Sequence, residues 1–148
     1  MSVNRIALGT LAYLVAVFPL AYAWHLVVFK ELYDSIGYIT RDEPIIALGF
    51  GAILFQGAIF AYLFPRFYRG GPPLLYSLKF AAIMGALHWT NHVLAAAAKH
   101  NMTPLSTWFA METLYLTIQF LATGLALLWV YRGALVPIAG DESLESAG

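Results

Sequence analysis

The chain contains no cysteine and very few charged residues. Charged residues make up 11% of its 148 residues, and eight basic and eight acidic side chains give a formal net charge of zero. The absence of cysteine excludes disulfides, thiolate metal ligands and cysteine nucleophiles. A net charge of zero argues against nucleic acid as a partner, because a nucleic-acid-binding protein needs a basic face.

Hydrophobic sequence is what the chain has in excess, at 61% of all residues. A soluble domain of this size usually carries about a quarter charged residues. Four apolar segments cover residues 6–29, 45–64, 75–98 and 105–131. Each can cross a hydrocarbon core of about 30 Å as a helix, which takes about 20 residues. The sequence therefore predicts an all-α fold, an integral membrane bundle of four transmembrane helices, with the lipid bilayer as its partner.

The predicted bundle is a single domain that covers residues 1–134. The polar stretch at residues 30–44 is predicted to be a short interfacial helix, an ordered loop or a solvated loop. Residues 135–148 are acidic and small without an apolar face, which predicts a disordered tail. A cleaved signal peptide is the alternative to the first span, although the apolar run is long for one.

Basic residues predict how the bundle sits in its membrane. One side holds five of them, namely Arg5, Arg66, Lys79, Arg69 and Arg132, and the other side holds three, namely Lys30, Arg41 and Lys99. Because cytoplasmic loops carry an excess of Lys and Arg, we expect both termini in the cytoplasm. The expected location is a bacterial inner membrane, crossed several times.

Several polar side chains interrupt the predicted spans. Ionisable groups in a bilayer cost a few kcal/mol, so they usually face the bundle interior and have a partner. His88, Asn91 and His92 lie on the third segment, and Glu112, Tyr115 and Gln119 share one face of the fourth. His25 ends the first segment and Gln56 lies within the second.

Two of these groups, His92 and Glu112, are predicted to lie at the same depth in the membrane. His92 precedes Lys99 by seven residues, and Glu112 follows Pro104 by eight. At about 1.5 Å per residue, both side chains lie about 10–12 Å below the same surface. The short connection makes the two helices neighbours, so we expect His92 and Glu112 to touch. His88 is expected one turn deeper on the same face, and His25 approaches at a shallower depth.

Three interpretations of this cluster remain open. The contact can be structural, holding two helices in register. It can be a metal or haem site, in which His88, His92, Glu112 and His25 offer a ligand set suited to zinc, iron or copper. It can bind a small lipophilic molecule or carry out proton chemistry. The residues of that binding site would be Glu112, His92, His88, Asn91, Tyr115, Trp89 and Trp108. No catalytic residue and no reaction follow from the sequence.

The alternative function belongs to a different class. The chain would be a non-catalytic accessory subunit of a larger membrane complex, or it would form a homo-oligomer. Small-xxx-small spacing at Ala47 and Gly51, and at Ala81 and Gly85, favours close helix packing. Trp24 and Tyr33 lie near a predicted interface, and we expect them to anchor the chain among lipid headgroups.

The chain resembles small bacterial four-helix membrane proteins catalogued as domains of unknown function. The resemblance rests on Trp24-His25 with the aromatic segment 29–33, on residues 41–44, and on residues 85–89 with 108–115. It covers nearly the whole chain except the tail. It implies a four-helix architecture and assigns no catalytic residues.

Overall fold

The computed structural model describes residues 2–135. These residues form helices joined by loops, and no strand occurs among them, which confirms the all-α prediction. Most of the predicted acidic tail, residues 136–148, lies outside the described part of the chain. Leu135, the first residue of that predicted tail, is buried.

The first half of the described chain forms three helices. Helix α1 (Val3–Ala23) continues through a π-helical turn (Trp24–Val28). The short helix α2 (Lys30–Ser35) follows, so the polar stretch at residues 30–44 is partly helical. Helix α3 (Ile46–Leu63) ends in a 3₁₀ turn (Phe64–Arg66), and Pro65 lies within that turn.

The second half forms a helical hairpin. Helix α4 (Pro73–Trp89) continues without a break through a second π-helical turn (Thr90–Leu94) and helix α5 (Ala95–Ala97). Helix α6 (Leu105–Tyr131) is the longest element. Pro73 begins α4 at a position where its missing N–H leaves no helical hydrogen bond unmade. Helices α4 and α6 pack against each other, as the short connection between them predicts.

Three of these helical stretches are long and apolar enough to cross a membrane, namely Val3–Val28, Ile46–Arg66 and Leu105–Tyr131. They coincide with three of the four predicted spans. The stretch that begins with α4 is not among the three. It carries Lys79, His88, Asn91 and His92, which lower its hydropathy.

Close helix packing depends on small residues. Helix α1 packs against α3 and α6. A Cβ atom added at Gly9 would lie 2.9 Å from Ala61, and one at Gly57 would lie 2.7 Å from the Tyr13 ring. A Cβ added at Gly85 on α4 would lie 3.1 Å from the Phe120 ring on α6. The prediction that Gly51 supports a close contact is wrong, because nothing lies within 4 Å of its added Cβ.

Aromatic rings fill the side between α3 and α4. The Phe64 ring lies 5.1 Å from Phe80 and 5.0 Å from Tyr76, measured between centroids. Tyr76 also donates a hydrogen bond to the Phe64 carbonyl. Phe60 contacts both Phe80 and Phe120. The four long helices therefore enclose a common core.

The bundle buries a few polar side chains within a mainly apolar core and exposes many large hydrophobic side chains. Ser77, Glu112, Gln119 and Thr123 are buried, whereas Leu48, Phe55, Ile83 and Trp129 are among the exposed large hydrophobic residues. In a protein surrounded by water, this distribution would leave apolar surface in solvent and polar groups in the core. It suits a protein surrounded by hydrocarbon.

Candidate functional site

Glu112 lies on the buried face of α6. Its side chain has no exposed surface. Trp108, Tyr115 and Gln119 share that face at spacings of three and four residues and are also buried. A carboxyl group in such a position is costly unless hydrogen-bonding partners replace water.

Two histidines from different helices contact the two oxygen atoms of Glu112. His92 Nε2 lies 2.7 Å from Oε2, and His25 Nε2 lies 3.1 Å from Oε1. The side chains of His92 and His25 are 25% and 16% exposed. The site therefore encloses the carboxyl group and reaches the protein surface through its two imidazoles. The predicted contact between His92 and Glu112 is present, and His25 joins it at the same carboxylate.

Both histidines lie on π-helical turns. His25 belongs to Trp24–Val28, and His92 belongs to Thr90–Leu94. A π-helical turn widens the helix by one residue, is rare, and occurs frequently at functional sites. Two such turns direct imidazoles at one carboxyl group, so the backbone as well as the side chains is adapted to this site.

Tyr33 on α2 is the third partner of Glu112. Its hydroxyl donates to Oε1 of Glu112 and accepts a hydrogen bond of 2.9 Å from Trp24 Nε1. Burial and the neighbouring Glu112 raise the pKa of Tyr33, which keeps the hydroxyl protonated as a donor. The prediction that Trp24 and Tyr33 anchor the chain among headgroups is wrong. Helix α2 turns back over the bundle and directs Tyr33 inward.

Residues 30–39, which we call the cover segment, close this end of the bundle. Gly37 in this segment has a φ of 80°, a conformation that glycine adopts without strain. The amide of Thr103 donates to the carbonyl of Ile36 at 3.0 Å. The Tyr38 ring lies 4.3 Å from the Trp108 ring. Burial, with a smaller effect of Glu112, raises the pKa of Tyr38 to about 12.

Donor and acceptor chemistry limits the protonation states of the cluster. His25 Nδ1 lies 3.1 Å from the carbonyl oxygen of Ala21, which can only accept, so Nδ1 carries a hydrogen. Its Nε2 then either accepts a proton from a neutral Glu112 or donates one to the carboxylate. The two states differ by one proton moved along the 3.1 Å contact. The pair has zero net charge in both states, which suits its enclosed position.

His88 does not contact Glu112 and belongs to a second network deeper in the bundle. Its Nδ1 accepts from Gln56 Nε2 at 3.0 Å, and Gln56 Oε1 accepts from Tyr13 at 2.5 Å. Gln119 Nε2 donates to the Tyr13 hydroxyl at 3.4 Å. The His88 ring stacks on His92 with centroids 5.3 Å apart. The stacked pair of His88 and His92 is therefore one place where the two networks meet.

The remaining predicted site residues divide into two groups. Tyr115 packs edge-on against His25 at 4.5 Å, and Trp108 lies 5.8 Å from His92, so both wall the site. Trp89 faces away from it, donates to Thr113 at 3.0 Å and lines an outward groove between α4 and α6. Asn91 is exposed. Trp89 and Asn91 are thus not brought to Glu112.

A metal centre finds no support in the described residues. Among residues 2–135, no group of three or more His, Cys, Asp or Glu side chains is arranged to hold a metal ion. The Nε2 atoms of His25 and His92 point at the carboxylate. Nδ1 of His88 is occupied by Gln56. The four predicted ligands therefore do not surround a common point.

Sequence reasoning missed three contributors to these networks. Tyr33 and Trp24 resemble ordinary interface aromatics, and nothing in their spacing relates them to Glu112. Tyr13 lies in an uninterrupted apolar run. One usable signal was the spacing of three residues between Tyr33 and Ile36 in a polar stretch, which would place both on one face of a helix.

Comparison with known proteins gives this site no precedent. No protein-family model, no curated protein and no solved structure matches the chain. The resemblance to small bacterial four-helix membrane proteins therefore stays a prediction.

Proposed function

We propose that the chain is a membrane protein with four spans, in which the Glu112 cluster reversibly binds a proton. The observation that carries this proposal is the pairing of one fully enclosed carboxyl group with two partly exposed imidazoles. Enclosure makes the carboxyl group dependent on its partners for charge balance. Partial exposure gives the imidazoles access to protons from outside.

The fourth span is supported by the packing of α4 along α6. Ser77 near the start of α4 donates to the Gly124 carbonyl at 2.7 Å, and Trp89 at its end donates to Thr113 at 3.0 Å. Helical turns continue to Ala97, which is long enough to cross about 30 Å at about 1.5 Å per residue. The polar residues of this stretch also serve the buried networks through His88 and His92.

The unequal distribution of basic residues supports an orientation in which α1 begins on the cytoplasmic side. Arg5, Arg66, Arg69 and Arg132 would then face the cytoplasm. The Glu112 site and its cover segment would lie near the opposite surface. For a bacterial inner membrane, this is the side on which the external pH acts.

Proton uptake follows from the donor and acceptor roles. In the resting state, His92 donates its Nε2 hydrogen to Oε2 of Glu112 and is neutral. An incoming proton binds at Nδ1 of His92, and the resulting imidazolium lies 2.7 Å from the carboxylate, which stabilises it. The proton that Glu112 and His25 share then resides on His25, because a fully ionised carboxylate best balances the new charge.

Ligand binding at Glu112 is less well supported than proton binding. Both carboxyl oxygens of Glu112 already have hydrogen-bond partners, namely His25 and Tyr33 at Oε1 and His92 at Oε2. A metal ion or a polar ligand would have to displace at least one of these three partners. A proton needs no such space.

The test combines infrared and NMR titration of protein in lipid nanodiscs between about pH 4 and pH 9, the range in which carboxyl and imidazole groups change charge. The infrared bands of the carboxyl and carboxylate forms of Glu112 can be identified by their absence in Glu112→Gln. Their intensities should change over the same pH range as the NMR chemical shifts of the labelled His92 imidazole. Glu112→Gln should also shift the midpoint of the His92 titration.

The chain provides its own control, because it has four histidines. His100 is exposed in the loop at the same end of the bundle, so its titration should not respond to Glu112→Gln. An infrared spectrum of Glu112 that is independent of pH, with no linked change at His92 or His25, would refute proton binding at this site.

The structural interpretation is the second candidate, and one observation favours it. Among residues 2–135, no buried side-chain nitrogen or oxygen atom lacks a hydrogen-bond partner. A contact that only holds helices in register would look the same. It predicts that Glu112→Gln lowers the melting temperature, while the infrared bands of Glu112 in the wild-type protein stay unchanged between about pH 4 and pH 9.

A further inference from the structure

The stacked histidines, His88 and His92, each use only one ring nitrogen in the networks described above. Gln56 Oε1 accepts from Tyr13, so the amide nitrogen of Gln56 faces Nδ1 of His88 and donates to it. A neutral His88 therefore carries its hydrogen on Nε2. His92 donates from Nε2 to Glu112 in the resting state, which leaves a lone pair on its Nδ1.

The second nitrogen of each ring reaches the surface of the described part of the molecule. Within residues 2–135, no hydrogen bond involves Nε2 of His88 or Nδ1 of His92. Among the same residues, no buried side-chain nitrogen lacks a partner. The two atoms are therefore not buried, which agrees with the 25% exposure of the His92 side chain. His88 offers a donor at the surface, and His92 offers an acceptor.

The side of the bundle between α3 and α4 is open beside this histidine pair. Close packing joins α1 with α3, α1 with α6, and α4 with α6. Between α3 and α4, aromatic rings fill one end, and Gln56 donates to His88 farther along. Residues 46–55, the part of α3 before Gln56, include no buried residue. Nothing lies within 4 Å of Cβ atoms added there at Gly49 and Gly51.

The surroundings of this opening are apolar. In the four-span arrangement proposed above, His88 lies eleven residues before Lys99, which is about 16 Å below the membrane surface. Leu54 on α3 and Leu87 on α4 are 39% and 60% exposed. An N–H group without an acceptor is costly in hydrocarbon. The pair therefore favours a lipophilic ligand that brings both an acceptor and a donor.

We propose that His88 and His92 bind the carboxyl group of a lipophilic carboxylic acid, such as a long-chain fatty acid. The carbonyl oxygen accepts from Nε2 of His88, and the hydroxyl donates to Nδ1 of His92. The two ring centroids are 5.3 Å apart, and each hydrogen bond spans about 2.7–3.0 Å, so one carboxyl group reaches both rings. The hydrocarbon chain then lies along exposed apolar side chains of α3 and α4.

The bound acid also supplies the proton that His92 takes up, and this step rests on the proposed function. The O–H bond of the acid breaks, an N–H bond forms at Nδ1 of His92, and the resulting carboxylate accepts from both histidines. The charged and titratable groups around His92 are His88, Glu112 on α6 and Tyr38 of the cover segment, whose ring lies 6.2 Å away. Of these, Glu112 stabilises the imidazolium. The total charge of protein and ligand does not change.

NMR spectroscopy of the full chain in lipid nanodiscs, with labelled histidine imidazoles, tests the proposal. Palmitic acid, methyl palmitate and hexadecanol would each be titrated into the wild-type protein. We expect palmitic acid to shift the resonances of His88 and His92 and to leave those of the exposed His100 unchanged. Methyl palmitate lacks the hydroxyl hydrogen, and hexadecanol lacks the carbonyl oxygen. Each should bind about tenfold more weakly, which corresponds to one lost hydrogen bond.

A pair of matched variants locates the acid. His88→Phe keeps a ring and removes the donor, and His100→Phe makes the same change at an exposed position of the loop. We expect His88→Phe to weaken the binding of palmitic acid about tenfold or more, measured at the His92 resonances. His100→Phe should change it about twofold or less.

Two results would overturn this inference. Equal binding of palmitic acid and methyl palmitate by the wild type would exclude recognition of a carboxylic acid, and this comparison needs no variant. Equal affinity of His88→Phe and the wild type for palmitic acid would place the acid elsewhere.

The infrared titration of Glu112 separates this inference from the proposed function. A linked titration of Glu112 and His92, without binding specific for the acid, would remove this inference alone. Binding of the acid at His88 and His92, without a linked titration, would refute proton binding at Glu112 and with it the proton step, and would support the acid site.

Discussion

Glu112 illustrates how a carboxyl group is accommodated inside a helical bundle. Its two oxygen atoms have three hydrogen-bond partners from three parts of the chain, namely His25, Tyr33 and His92. Removing one partner of a buried charged group costs several kcal/mol, because the remaining charge is left without compensation. At the residue scale, the cluster therefore stabilises the fold and also restricts where a proton can reside.

Substitution of Tyr33 by Phe tests this dependence. The variant removes one donor to Glu112 and the acceptor for Trp24 Nε1, and keeps the ring that packs in the site. We expect the free energy of unfolding to fall by about 1–3 kcal/mol, which is the cost of leaving a buried polar group without its partner. Denaturant unfolding in detergent, followed by circular dichroism, measures the change.

Tyr22→Phe is the matched control, because Tyr22 on α1 is 46% exposed. We expect its effect to be within about 0.5 kcal/mol, as for most surface substitutions. If both variants unfold alike, the hydroxyl of Tyr33 contributes nothing to the stability of the bundle, and its contact with Glu112 is incidental.

At the scale of elements, two features of these helices position the side chains in the bundle. The first is the pair of π-helical turns, Trp24–Val28 and Thr90–Leu94, which direct His25 and His92 at the carboxyl group. The second is the close approach of α1 and α3, which Gly9 and Gly57 allow. Both features set the distances on which the Glu112 site depends.

The approach of α1 and α3 can be tested with two glycines of the same helix. An added Cβ at Gly57 would lie 2.7 Å from the Tyr13 ring, whereas nothing lies within 4 Å of one at Gly49. We expect Gly57→Ala to destabilise the bundle by about 1–3 kcal/mol through overpacking. Gly49→Ala should stabilise it by up to about 1 kcal/mol, since alanine favours a helix.

Thermal unfolding of both variants in the same detergent provides the comparison. Tyr13 also donates a hydrogen bond to Gln56, and His88 is the next group in that network. Gly57→Ala should therefore also change the NMR chemical shifts of the labelled His88 imidazole. Equal melting temperatures for the two variants would mean that α1 and α3 are farther apart than the structure has them.

At the scale of the whole molecule, the described residues expose many large hydrophobic side chains, and their charges are distributed unequally between the two ends. Apolar residues face outward along the long helices, and Glu112, Gln119 and Thr123 face inward. Among residues 2–135, four arginines lie near one end, and the polar stretch at residues 30–44 near the other end contains four of the five carboxylates. The first property predicts a hydrocarbon environment. The second predicts that the two ends lie in different electrostatic surroundings.

The number of spans and their orientation can be tested directly, because the chain has no cysteine. Single substitutions Ser2→Cys, Ser35→Cys and His100→Cys place a thiol at three exposed positions. With four spans, a membrane-impermeant maleimide added to intact bacterial cells should label positions 35 and 100 and leave position 2 unlabelled until the membrane is permeabilised.

The labelling of position 100 shows whether the fourth span crosses the membrane. If α4 does not cross the membrane, His100→Cys is on the same side as Ser2→Cys and is protected in intact cells. Labelling of Ser2→Cys alone in intact cells would instead reverse the orientation and leave the number of spans unchanged.

The amino-acid sequence by itself determined the helical class, the segments that form the long helices and the common depth of His92 and Glu112. Hydropathy and residue spacing are local properties, and a hydrophobic run of about 20 residues has few alternatives to a helix. The contact between His92 and Glu112 followed from counting residues on either side of one short loop.

Only the tertiary structure decided which other side chains complete the site. Tyr33 lies 79 residues before Glu112 and reaches it because α2 folds back over the bundle. His88 shares a helical face with His92, yet the packing of α3 gives it Gln56 as a partner. The π-helical turns shift the side chains relative to ideal helical spacing. Contacts between distant segments and departures from regular geometry arise when the helices pack, so spacing along the chain could not reveal them.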